Sequence, residues 1–225
     1  MTSALLQTEF PAEGVAVLTL NRPEKKNALS IALRDSISDE LDALAKDERV
    51  RVVVLIGAGA VFSAGFDLGE FTSSDPIVQQ TLWPSSDRFH HTLLRFPLPV
   101  LAAIDGPALA GGFDMATLCD IRICSQTAVF GHPEQSWADI VYGPLHDLLG
   151  GATARDLCFT GRRVEAAEAL RIGLVSRVVP GANLRSVAVA MASDIARAPR
   201  QVLIRTKAKA LARSTVSPHA STLSL

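Results

Sequence analysis

The chain has 225 residues, 48% of them hydrophobic, with 22 basic and 23 acidic side chains and a formal charge of −1. That is enough apolar material for one sizeable core, and the balanced charge removes any global attraction to nucleic acid or an anionic membrane. No stretch approaches the roughly eighteen consecutive apolar residues of a membrane span, and the first residues lack a basic start plus apolar run, so the expected compartment is cytoplasmic.

Residues 15–20 (Val-Ala-Val-Leu-Thr-Leu) read as a strand, broken by turn chemistry over 21–28. Ser30 suits an N-cap, and Leu33, Ile37, Leu41 and Leu44 recur at helical spacing, which predicts an amphipathic helix over 31–46. Residues 50–56 are an almost unbroken apolar strand, the kind expected where both faces of a sheet are covered. A glycine-punctuated turn follows over 57–68. Residues 72–87 are polar and without clear period, which predicts a loop, the best candidate for mobility, ahead of a helix at 89–95.

An apolar strand at 100–104 then runs into Gly106-Pro107 and the paired glycines Gly111-Gly112, where a short helical pattern starts. Short strands at 121–124 and 128–130 lead to the loop His132-Pro133-Glu134. Helices are predicted over 144–159, 162–173, 184–196 and 202–212, with a strand at 174–179. The tail from Ser214 is rich in Ser, Thr and Ala, a composition that favours disorder.

Cys119, Cys124 and Cys158 stand singly among apolar residues and read as small buried hydrophobes. His90, His91, His132, His146 and His219 form no metal-ligand spacing, so no metal is expected; His132 stands beside Glu134, where it could tune that carboxylate. The helix start at Gly111-Gly112 leaves amide N–H groups unpaired, a site for an oxygen that is or becomes negative. Plain helix–strand packing would explain the same two glycines.

Several short motifs occur in a fixed order: Arg22-Pro23, Asn27-Ala28-Leu29, Phe62-Ser63-Ala64-Gly65-Phe66-Asp67-Leu68, Pro99-Val100, Gly111-Gly112, Cys119-Asp120, Phe130-Gly131, Pro133-Glu134, Thr160-Gly161-Arg162 and Gly173-Leu174-Val175. In that order and spacing the chain resembles the crotonase superfamily, the enoyl-CoA hydratase/isomerase family, over about residues 5–212. The resemblance implies an α/β fold, a spiral of strand-strand-helix units followed by C-terminal helices, in one domain over 1–213 with a polar tail over 214–225. It also implies assembly as a homotrimer or dimer of trimers, an acyl-CoA thioester as the bound molecule, and no cofactor beyond the coenzyme A that the substrate carries.

Thioester chemistry next to the carbonyl passes through an enolate, whose oxygen needs preorganised donors. The resemblance assigns these to the backbone N–H groups of Phe66 and Gly111, and proton transfer to Asp114 and Glu134, where the family's hydratases carry two glutamates. It places CoA and substrate contacts at Lys26, Ala28, Ala64, Asp67, Leu68 and Gly112, with Arg22 and Lys25 in the same basic turn, and makes Trp137 a candidate pocket wall.

Three departures bear on the reaction. Asp114 is one methylene shorter than glutamate, and a reach error near 1 Å can cost about 10²-fold. That bears against the two-carboxylate hydration of the family; the resemblance also includes dienoyl-CoA isomerases, which pair Asp with Glu. Those enzymes carry a further aspartate where this chain has Tyr142; the nearby carboxylate here is Asp139, in a shortened loop. Family members also continue with further helices beyond the equivalent of Arg213. Two functional classes therefore stand at this point, a hydratase or isomerase and an acyl-CoA-binding paralogue with little or no chemistry.

Overall fold

The computed structural model describes residues 4–217 and 219–224. Two strands open the chain, β1 (Leu6–Ala12) and β2 (Val15–Leu20), paired antiparallel. β1 has no counterpart in the sequence reading: its residues alternate only weakly, and most of them stay exposed or half-buried at the sheet edge. Helix α1 (Ile31–Lys46) has the predicted bounds, because the Ser30 hydroxyl accepts the Leu33 N–H and the periodic leucines all turn inward. β3 (Val52–Gly57) lies parallel to β2 and is buried along nearly its whole length.

The short helix α2 (Leu68–Phe71) and the long helix α3 (Pro76–Arg95) come next. Much of the stretch expected as a polar loop is therefore helix. Asp75 caps α3 by accepting the Ile77 N–H and Pro76 stands at its first position, both favourable starts. Pro84 lies inside the helix. It interrupts the ladder locally, and together with a largely polar outer face it hides the period from the sequence.

β4 (Val100–Ile104), β5 (Pro107–Leu109), α4 (Gly111–Leu118), β6 (Ile121–Ser125) and β7 (Val129–Gly131) follow. α5 (Gly143–Thr160) comes after a single turn over Pro133–Ser136. β8 (Val164–Glu165) and α6 (Ala166–Arg171) replace the single helix expected over 162–173, and β9 (Arg177–Val179) is shorter than the predicted strand. α7 (Gly181–Ala196) and α8 (Arg200–Leu211) complete the main elements.

The principal sheet has the order β1-β2-β3-β4-β6-β9, parallel from β2 onward. Its register explains the continuous apolar runs. Val17, Val54 and Leu101 are aligned partners and face α7 through Leu184, Ala188, Ala192 and Ala196. Their neighbours Leu18, Leu55 and Ala102 point the other way, into the cluster that contains Leu33, Ile37 and Leu41 of α1. A smaller sheet, β5-β7-β8, stands off the first. The chain leaves the principal sheet at Gly106, whose φ of +63° and contact with the Ala60 carbonyl exclude any side chain.

The tail, for which composition favours disorder, is packed in its described part. Val216 and Thr222 are buried, and the Thr222 hydroxyl lies within hydrogen-bond reach of Asp87, Ser86 and His90 on α3. Pro218 and Leu225 lie outside the described residues. Cys119, Cys124 and Cys158 are free and buried as expected. Among the described residues no helix is long and apolar enough to cross a membrane.

Candidate active site

The site begins with two turns that the fold presses together. Asn27 is fully buried in a left-handed conformation, and its amide donates to the Ala58 and Val61 carbonyls at 2.9 and 2.7 Å. Ser63 links the same turn to β5: its hydroxyl donates to the Asn27 carbonyl, and its own carbonyl accepts the Leu109 N–H. These bonds hold residues 63–66 directly against the start of α4.

The contact is close enough that only glycine serves. A Cβ on Gly65 would stand 3.2 Å from the Gly111 nitrogen and 2.7 Å from Ala110 Cβ; one on Gly111 would meet the Phe66 ring at 2.7 Å; one on Gly112 would meet the Ser63 carbonyl at 2.5 Å. Ala110, the residue that caps α4, is held at φ 49° and ψ −132°, unusual for a residue with a side chain. Its N–H donates to the Gly131 carbonyl, and its carbonyl takes the Phe113 and Asp114 N–H groups. Neither the Phe66 nor the Gly111 N–H takes part in the turn and cap hydrogen bonds of the described residues.

Both residues line a cavity of about 450 Å³. Asp114 reaches it from the first turn of α4, and Glu134 from the turn after β7. His132 stands between the carboxylates, its Nδ1 3.0 Å from Glu134 Oε1 and its Nε2 3.6 Å from Asp114 Oδ1. All three side chains are buried, and Asp114 Oδ1, His132 Nε2 and Glu134 Oε2 have no hydrogen-bond partner among the described residues. Burial pushes the Asp114 carboxyl up to about 7; the nearby Glu134 charge adds to this and His132 works against it. For His132 burial acts to lower the pKa, but the Asp114 charge and the hydrogen bond and charge of Glu134 outweigh it, and the imidazole stands above its ordinary value.

Of the residues singled out in the sequence, the fold brings Ala64, Phe66, Leu68, Gly111, Asp114, Glu134 and Trp137 to this one cavity, with Asp139 also on its wall. Lys26, Ala28, Asp67 and Gly112 are not part of the lining. Gly112 is packed behind it on Ser63. Lys26 is exposed, and its carbonyl accepts the Ala64 N–H, so the basic turn adjoins the cavity mouth. Asp67 is engaged by the protein itself: it pairs with Arg22 at 3.1 Å and caps α2 through the Gly69 N–H. Tyr142 precedes α5 and leans on His146.

Sequence reasoning named Trp137 as a candidate wall but missed Phe71, Trp83 and the support beneath Phe66. Phe71 lies edge-on to both Trp83 and Trp137, with centroids 6.0 and 5.6 Å apart, and Trp83 also contacts Phe66. Trp83 belongs to α3, in the stretch whose composition predicts a loop, so its place on the wall depends on the helix that Pro84 obscures. Beneath Phe66, the fully buried Arg34 stacks on the ring at 4.5 Å. A lone arginine between Leu33 and Ile37 carries no such signal.

The family model for enoyl-CoA hydratase/isomerase matches residues 11–224. A hydroxycinnamoyl-CoA hydratase-lyase from Pseudomonas fluorescens is 33% identical over 81% of this chain and 70% of its own length. A short-chain-enoyl-CoA hydratase from Clostridium acetobutylicum is 37% identical over 80% of this chain and 71% of its own. The crystal structure of an enoyl-CoA hydratase from Bacillus anthracis superposes with a TM-score of 0.88 at 32% identity, over 93% of this chain and 83% of that one.

Proposed function

We propose a reaction for this site from one premise: the chain belongs to the enoyl-CoA hydratase/isomerase family. The bound molecule is an acyl-CoA thioester. Its carbonyl oxygen rests on the Phe66 and Gly111 N–H groups, which stabilise the enolate that forms when a proton leaves or joins the carbon chain. Glu134 moves that proton at the α or γ carbon, and Asp114 serves as the second acid–base group. The acyl group lies against Phe71, Trp83 and Trp137, while Lys26 and its neighbours in the basic turn meet the CoA phosphates as point charges.

One observation carries this reading: two uncommitted backbone donors and two buried carboxylates open onto a single largely apolar cavity. Buried carboxylates without full hydrogen bonding are costly, which makes a purely structural purpose a poor explanation for them. An acyl-CoA-binding protein without chemistry would need the donors but not the acids.

The test is incubation with crotonyl-CoA, a 3-enoyl-CoA and a 3,5-dienoyl-CoA, followed by absorbance and product analysis. Hydration of the first or isomerisation of the others supports the reading and separates its two branches. Gly111→Val drives a methyl-bearing side chain into the Phe66 ring and is expected to lower turnover about 10²–10³-fold, the cost of one displaced oxyanion donor. Binding of all three thioesters without conversion of any would leave the non-catalytic alternative.

A further inference from the structure

His132 is 1% exposed, yet it is polar and sits where the fold could have placed a hydrophobe. It leaves Gly131 at the end of β7 and opens the turn that carries Glu134. Its ring is packed on Phe113 with centroids 4.9 Å apart, so its orientation is fixed by α4 as well as by its own loop. A half-turn about Cβ–Cγ would keep the ring in the same plane but set carbons where the two nitrogens stand, losing the 3.0 Å contact with Glu134. Nδ1 faces Glu134, and Nε2 faces Asp114.

We propose that His132 is a positioning residue that divides acid and base between the two carboxylates: Nδ1–H donates to Glu134 Oε1, keeping Glu134 ionised with Oε2 free as the base, while Nε2 faces Asp114, which retains the proton and acts as the acid. The proposal rests on the acid–base reading above and deepens it. Without His132 the two carboxylates would share one desolvated cavity with nothing to decide which of them is protonated. A hydrogen bond to the ionised form favours that form, and of the two carboxylates only Glu134 is within hydrogen-bond distance of the ring. The 3.6 Å gap to Asp114 Oδ1 is too long for a hydrogen bond in this state, and gaps of this kind commonly close when substrate fills the site.

The groups facing this centre are few. Asp114 approaches from α4 and Glu134 from the turn after β7, while the Cys158 thiol of α5 feels both carboxylates and is pushed up to about 11 by burial and their charges, so it stays neutral. The upward shift of Asp114 to about 7, caused first by burial, agrees with its keeping a proton near neutrality.

The tautomer is read directly from long-range proton–nitrogen correlation spectra of the ¹⁵N-histidine-labelled chain, with the His132 signals assigned by their loss in His132→Gln. The expected result is a protonated Nδ1 at every pH, and a titration midpoint that falls in Glu134→Gln. An unprotonated Nδ1 in the neutral ring, or a midpoint indifferent to both Glu134→Gln and Asp114→Asn, overturns the proposal. This measurement does not depend on turnover, so it stands apart from the substrate panel, whose complete failure would overturn the acid–base reading itself.

With a thioester that is turned over, the pH profile of kcat/KM gives the second arm. His132→Leu removes the donor to Glu134, so the acid limb is expected to move to higher pH and kcat to fall about tenfold or more, with KM little changed. His132→Asn, which keeps an N–H donor, restores part of both. A uniform loss of rate with an unmoved acid limb would mean that the ring only fills space.

Discussion

Arg34 and the Asp114–His132–Glu134 group are both buried and both stand next to Phe66 or its partner turn, but the protein treats them differently. The Arg34 guanidinium donates to the Leu29 and Leu82 carbonyls at 2.7 and 3.1 Å and to the Ser85 hydroxyl, and it stacks on Phe66. Burial lowers its pKa to about 10, with Glu70, Asp35 and Asp67 opposing, so it remains charged at neutral pH. The acidic group instead keeps three polar atoms beside the cavity without partners among the described residues. A buried charge with its hydrogen bonds made joins α1 to α3; buried charges with bonds left open are available to a ligand. Interchange of rate and stability effects between these two regions would break that distinction.

The largest expected effect is on rate. Glu134→Gln keeps the shape of the side chain and removes the base, and turnover of whichever thioester is accepted should fall about 10²–10⁴-fold. Thermal stability should be unchanged or higher, since a buried carboxylate becomes a neutral amide. Steady-state kinetics beside a melting curve checks both. A Glu134→Gln protein that unfolds easily but turns over normally when folded would place Glu134 with Arg34 as an architectural residue.

Arg34→Met is the converse. It removes the donors to the Leu29 and Leu82 carbonyls and the Ser85 hydroxyl, leaves the Leu29 carbonyl with only the Asp67 N–H at 3.5 Å, and is expected to cost about 1–3 kcal/mol in all. Urea denaturation should show the loss, and a midpoint within error of the wild type would remove the argument that the satisfied cluster is structural.

These two regions also differ in how far the sequence revealed them. Gly65, Gly111, Asp114 and Glu134 could be picked out because glycine turns and a carboxylate at a helix start have local signatures, and the ordered motifs placed them in one family. α1 was legible through Ser30 and its leucine spacing, and β3 through its unbroken apolar run. Arg34 left no trace, since its partners are carbonyls contributed by a turn and by a helix far along the chain. α3 was hidden by Pro84 and its polar outer face, and with it Trp83. Even Asp114 could be read only as a helix-start acid with a candidate role. Its raised pKa comes from burial and from Glu134, which the fold alone brings near.

That shift has a consequence for stability. Folded, Asp114 keeps its proton up to about pH 7; an unfolded aspartate releases it near roughly pH 4. Between those values folding must take up a proton, so Asp114 weakens the fold progressively as pH rises and its full cost is present above about 7. His132 acts in the same direction, because the stability from its raised pKa is present at low pH and lost as pH rises through the folded value. Asp47 and Glu168 are lowered, Asp47 by hydrogen bonds from Arg49 and Glu168 by those from Arg162, so their contributions are lost only at acid pH. Asp114→Asn should therefore melt close to the wild type near pH 4 and exceed it by a margin that grows to about pH 7 and then levels off. A margin that does not depend on pH would show that Asp114 is ionised in the folded protein.

The smallest effect is expected at Trp137, which belongs to the cavity without being sealed in it. The side chain is 57% exposed and touches Phe71 edge-on. Its removal costs little burial, and Trp137→Ala should change stability by no more than about 0.5–1.5 kcal/mol, the range for one aromatic pair. The same contact gives an acyl group a flat apolar surface, so affinity for a thioester with an apolar acyl chain should fall several-fold while affinity for free coenzyme A stays the same. Calorimetric titration with both ligands distinguishes the cases. An equal loss for the two would move Trp137 from the acyl wall to the CoA side of the cavity and leave Phe71 and Trp83 as that wall.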